Sequence, residues 1–238
     1  MQPLTHYEQL AALFEYPQPD YPAQVRTACR VLEGRYPLAA ARLGAFGDAL
    51  PSEGETFSAA ALDEVQEIFT RSFDVQPVTT LSVGYVMFGD DYKRGELLVN
   101  LNREHREAGV DCGSELADHL PNVLRLMARW QDPEMVLEFV EHILHPTLER
   151  MIAEFGGERM EQRNTLYGKH FKTLIASSAE RGTIFREPLA ALVTVLREDF
   201  GLGEPARPER HNDFLRSIGS ELDIETDEHR PPAARSSV

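Results

Sequence analysis

The chain reads as all-α: a single-domain helical bundle over residues 1–200, followed by a flexible, polar tail over 201–238. Three observations predict this. Apolar residues recur at three- and four-residue steps through nearly every apolar segment, which places them on one face of a helix. Most prolines, glycines and capping-type residues fall between those segments. The one β-rich stretch, TTLSVGYVMF at 79–88, has no partner strand, and a lone strand leaves its backbone groups unpaired. It is read instead as a loop entering a short buried helix.

Taken in order, Thr5 and Glu8 fit a capping box for a helix with Tyr7, Leu10, Ala11 and Phe14 on one face. Tyr16-Pro17 stops it, because a residue before proline avoids the α region. Asp20 can cap a second helix, with Val25, Cys29 and Leu32 inward and Gly34 as its terminator. A shorter third helix follows in YPLAAARLGAFGDALP, and a fourth runs from about Phe57 to Phe73 on Leu62, Val65, Phe69 and Phe73. Asp90 or Asp91 caps the next, which carries Leu97, Leu98, Leu101 and Ala108 and ends at Gly109. Ser114 opens another, whose stripe is Leu116, Leu120, Val123, Leu124 and Met127. A long helix begins with Pro133 in its first turn and is kinked near His142 by Pro146. Further helices carry Tyr167, Phe171, Leu174 and Ile175, and then EPLAALVTVLREDFG. After Gly201 large apolar residues are too sparse to offset the entropy of ordering the chain.

Composition narrows the function. No run of about 18 apolar residues is present, so direct membrane insertion is not expected. The start of the chain lacks a basic, apolar signal pattern, and the two cysteines, Cys29 and Cys112, form no disulfide framework. Both point to a cytoplasmic setting. A formal net charge of −15 disfavours nucleic acid and favours a basic partner.

Signs of catalysis are weak. There is no glycine-rich phosphate loop and no nucleophile elbow, and Asp111 and Glu115 would raise rather than lower the Cys112 thiol pKa. EFVEHILH sets Glu138 against His142 and Glu141 against His145 at i, i+4, but the Glu-x-x-His pairs of helical di-iron proteins do not occur. Neither a metal nor a cofactor is expected, and no catalytic residue is assigned. In GSELADHLPNVL, residues 113–124, acids in a first helical turn suit the helix dipole. That account leaves His119 and Pro121 unexplained.

Several ordered pieces resemble the NarJ/TorD/DmsD family of molybdoenzyme-specific assembly chaperones. They are LFEYP at 13–17, FTRSFD at 69–74, LSVGYVMFGDDYKRGELLVNLNREHREAGV at 81–110, and ELADHLPNVL at 115–124. The third carries an aromatic-Gly-Asp step, an Arg-Gly pair and an Ala-Gly helix end. The fourth matches a Glu-x-x-Asp-x-Leu-Pro signature, with Ala117 and His119 where NarJ-type members usually have proline and tyrosine. The Asp118-His119 pair is closer to the TorD and DmsD branches, and Leu120-Pro121 to the favoured NarJ-like branch.

The resemblance implies a TorD-like all-helical fold without catalysis. It implies a monomer or weak homodimer that binds the N-terminal leader of the catalytic subunit of a molybdopterin oxidoreductase. It also implies support of cofactor insertion, as in nitrate reductase assembly, before membrane docking or export. Such a leader would lie as a helix in a groove. Tyr85, Leu120 and Leu124 would floor that groove, with Pro121 beside them. Glu115, Asp118 and Asp90 would meet the basic groups of the leader. His119 would bond a peptide carbonyl or be held by Asp118, and Arg94 would join the site or pair with Asp90 or Asp91. A helical metal-dependent oxidase and a regulatory scaffold for another partner stand as the alternatives.

Overall fold

A computed structural model describes residues 4–51, 54–156 and 183–203. Every regular element among them is helical, and the one β feature is an isolated antiparallel bridge between Ser82 and His119. The order is α1 (His6–Ala11) with a 3-10 turn (Ala12–Phe14), α2 (Tyr21–Glu33), α3 (Pro37–Ala49), α4 (Ala59–Phe73), α5 (Val83–Phe88) and α6 (Tyr92–Glu107). Then come α7 (Leu120–Arg129), α8 (Pro133–Phe139), a π-turn (Val140–Leu144), α9 (His145–Glu154) and α10 (Arg186–Phe200). The helix expected around Tyr167–Ile175 and the tail beyond Gly203 lie outside the described residues.

α3 packs between α2 and α10, α10 against α9, α1 against α2 and α7, and α5 against α9 and α6. Phe185, at the entry to α10, stands among Phe46, Phe69 and Phe73 with ring centroids 5.3–5.4 Å away. These aromatics join α3 and α4 to the last helix, in the edge-on and tilted arrangements that aromatic quadrupoles favour.

Caps follow local chemistry with some exceptions. Ser58 accepts from the Ala61 amide, Asp91 from Lys93, and Asp132 from Glu134 and Met135. Thr5 makes no side-chain cap, and the Asp20 carboxylate takes the Gln24 side chain instead of a helix amide. Pro146 does not kink the helix by a simple break. It has no amide hydrogen to donate, and just before it the His145 amide bonds back to the Val140 carbonyl, widening one turn to π geometry. The side chain of His145 is buried, not on a helix surface, and accepts from Arg197 Nε at 3.2 Å.

The two ends of the described fold meet at one carboxylate. Asp199, near the end of α10, has a side chain 1% exposed. Its Oδ2 lies 2.8 Å from His6 Nε2 and accepts from the Tyr7 hydroxyl at 3.0 Å; its Oδ1 accepts from Arg35 at 2.8 Å and the Tyr36 hydroxyl at 2.5 Å. Burial pushes this carboxyl up, but the bonds from His6, Tyr36 and Tyr7 and the charge of His6 outweigh it and hold the group below its usual range.

Candidate functional site

Residues 111–119 do not start a helix. They form a turn pinned from three sides, and α7 begins only at Leu120 with His119 as its N-cap. The Gly113 amide bonds to the Asp111 carboxylate, and Gly113 has φ +60°, which glycine adopts without a Cβ penalty. The Asn122 side chain donates back to the carbonyls of Cys112 and Leu116 at 3.2 and 3.1 Å. From α6, His105 Nε2 donates to the Ala117 carbonyl at 3.0 Å.

The fourth constraint explains the late helix start. The Val83 amide donates to Asp118 O, and the Leu120 amide to Leu81 O, both at 2.9 Å. These two bonds fasten the segment before α5 to the segment before α7 and require extended backbone at His119, where ψ is 130°. Pro121 then occupies the second helical position, where its missing amide hydrogen costs nothing.

Asp118 is held at this junction with its side chain wholly buried. Oδ2 accepts from Arg94 Nε at 3.2 Å, while Oδ1 accepts no hydrogen bond from any described residue. Gly84 closes over the same carboxylate, and a Cβ built there would stand 2.8 Å from Asp118 Oδ2 and 3.1 Å from Leu97 Cδ2. The Arg94 guanidinium lies over the Tyr85 ring, 5.3 Å from its centroid, in cation–π contact. From carboxylate to solvent the order is therefore Asp118, Arg94, Tyr85, with side chains of the first two 0% and 23% exposed and Tyr85 43% exposed as a residue.

The expected site residues do not stay together. Tyr85, Arg94 and Asp118 come together, and Asp90 and Glu115 lie exposed. Leu120, Pro121 and Leu124 are buried in the protein's own core, so none of them floors a groove. Helical periodicity explains this: the stripe they form packs α7 inward. Leu116, expected on that stripe, is 53% exposed because the turn carries it outside the helix. Arg94 pairs with neither Asp90 nor Asp91, and Asp118 is not a surface charge.

His119 is partly buried, and burial lowers its pKa; the nearby charges of Glu115, Glu15 and Asp118 act in the opposite direction. Its flank includes Arg125, which is paired with Glu15. The Cys112 thiol is pushed up by burial and by Asp111. Among the described residues no three His, Cys, Asp or Glu side chains converge as a metal site, and no helix is long and apolar enough to cross a membrane.

Sequence reasoning missed Gly84, His105 and Asn122. The glycine inside VGY was the one legible signal, since an isolated glycine in an apolar run often marks close approach of another group. No family model and no curated protein sequence matches this chain.

Proposed function

We propose that this chain is an assembly chaperone of the TorD-like type. It binds the N-terminal leader of a molybdopterin oxidoreductase catalytic subunit at the Tyr85–Arg94–Asp118 junction, in the cytoplasm, before that subunit docks or is exported. The observation that carries the reading is a physical join. The two stretches that most resemble the chaperone family, 81–110 and 115–124, are fastened into one surface feature by the bonds from the Val83 amide to Asp118 O and from the Leu120 amide to Leu81 O. A half-exposed tyrosine stacked on a guanidinium gives that surface an aromatic anchor. Exposed Glu115 and Asp90, with the net charge of −15, suit a basic peptide.

The test is calorimetric titration with the N-terminal peptide of a molybdopterin oxidoreductase catalytic subunit from the same genome. Binding should weaken as ionic strength rises from about 0.05 to 0.5 M, because exposed charge pairs are screened. Tyr85→Ala should weaken it by about tenfold or more, the loss of an interface anchor worth over 1 kcal/mol. No binding by the peptide, or binding indifferent to both salt and Tyr85→Ala, would refute the proposal.

A further inference from the structure

Asp118 and Asp199 are both buried carboxylates, and their surroundings differ. Asp199 has both oxygens engaged by four side chains. Asp118 has one oxygen on Arg94 and one without a partner among the described residues. Buried polar atoms are rarely left so. Among the described residues, Gly84 stands close against this carboxylate, and Arg94 lies between it and the exposed Tyr85 ring.

We infer that Arg94 is an internal placeholder in a guanidinium site, and that an arginine of the bound leader displaces it from Asp118 and from the Tyr85 face. This rests on the function proposed above for the leader, but the site itself is defined by its own chemistry. A buried carboxylate whose partner simply leaves becomes an uncompensated charge, which is strongly unfavourable. Exchange of one guanidinium for another avoids that state. A planar fork can reach both carboxylate oxygens and stack on the tyrosine, whereas an ammonium is a point charge that does neither as well. The Arg94 pair uses one carboxylate oxygen through Nε, so an arriving arginine in end-on, two-toothed geometry gains a contact that Arg94 lacks. Arg94 is also placed to move, with 23% of its side chain exposed against none of Asp118.

Self-occupancy lowers apparent affinity by the fraction of molecules in which Arg94 has swung away. Removing the placeholder therefore tightens leader binding while lowering the stability of the free protein. Arg94→Ala should melt on the order of 10 °C lower than wild type, as expected when a buried ion pair loses one member. Ethylguanidinium at millimolar concentration should restore that loss with saturation, and ethylammonium should not. Wild type and the Arg94→Ala, Asp118→Asn double variant should show no such rise. The leader peptide should bind Arg94→Ala about tenfold more tightly than wild type.

Arg94→Lys, which keeps a charge beside Asp118 and does not depend on tolerance of a buried unpaired acid, should also bind the peptide more tightly. Absence of a saturable, Asp118-dependent rescue overturns the guanidinium site whatever the peptide does. Weaker peptide binding by both Arg94 variants overturns displacement, because Arg94 would then be a contact. If no peptide binds any of the proteins, the leader reading fails, and the rescue alone decides the site.

Discussion

Asp199→Ala should be the most damaging single substitution outside the apolar core, lowering stability by about 3–5 kcal/mol. The carboxylate receives Tyr7, Tyr36 and Arg35 and pairs with His6, so its removal leaves two tyrosine hydroxyls and an imidazole without their partner in a buried place. His6 and Tyr7 belong to α1, Tyr36 precedes α3 and Asp199 ends α10, so the loss uncouples the last helix from the first. Asp199→Asn separates shape from charge. With the folded pKa held below the usual value, the stabilisation is complete above the unfolded carboxyl pKa of about 3.9 and is lost as pH falls through the folded value. Thermal denaturation should therefore show an acid-side loss of stability in wild type that is shallower in Asp199→Asn. Equal acid sensitivity in both, or a cost below about 1 kcal/mol for Asp199→Ala, would mean that the network is not a fastening.

Gly84→Ala carries the second large expected effect. The new methyl would meet Asp118 Oδ2 at 2.8 Å, Leu97 at 3.1 Å and Arg94 Cγ at 3.2 Å. A free carboxylate end would move aside, but this one is wholly buried, and the bonds of Asp118 O to Val83 and Leu120 to Leu81 fix the backbone on either side. Overpacking of this kind costs about 1–3 kcal/mol, or roughly 2–12 °C in melting temperature for a chain of this size. A double-mutant cycle tests the cause. Shortening the acid with Asp118→Ala should recover a substantial part of the Gly84→Ala loss, because the two side chains compete for one volume. Strictly additive effects would show that the methyl is accommodated elsewhere.

How much of this was legible depends on the range of the interaction. The helices of α3, α4, α8 and α10 follow from apolar spacing, proline at the first turns and short capping side chains, all of which act within a few residues. The loop and short helix at 79–88 also follow from local logic, since a strand without a partner is untenable and the structure gives 81–83 a single bridge instead of a sheet, but only Val83 and Gly84 of that helix are buried and Tyr85 is exposed. The start of α7 departs from the local expectation, because Ser114 and two acids make a good helix opening on their own. What overrides them is a hydrogen bond to Leu81, far back in the chain. Of the two roles open to Arg94, joining the site or pairing with its near neighbours Asp90 or Asp91, the local pairing does not form, and its partner lies 24 residues on. His6 and Asp199 are 193 residues apart, and no sequence spacing announces that meeting. Leu120 and Leu124 were given two tasks, core and groove; a side chain with no exposed surface performs only the first.

On the function proposed above, a leader peptide lies on the turn and helix entry around Asp118. Site-specific photocrosslinking reads this directly. A benzophenone side chain is placed at Leu116, 53% exposed and two residues from Asp118, and separately at Leu38, 69% exposed on the α3 face that borders Arg42 and Glu187. Each protein is irradiated with the N-terminal peptide of a molybdopterin oxidoreductase catalytic subunit from the same genome. The predicted result is a peptide adduct at Leu116, lost on competition with unlabelled peptide and reduced by Tyr85→Ala, with none at Leu38. An adduct at Leu38 and none at Leu116, or no competable adduct at either, would contradict the account.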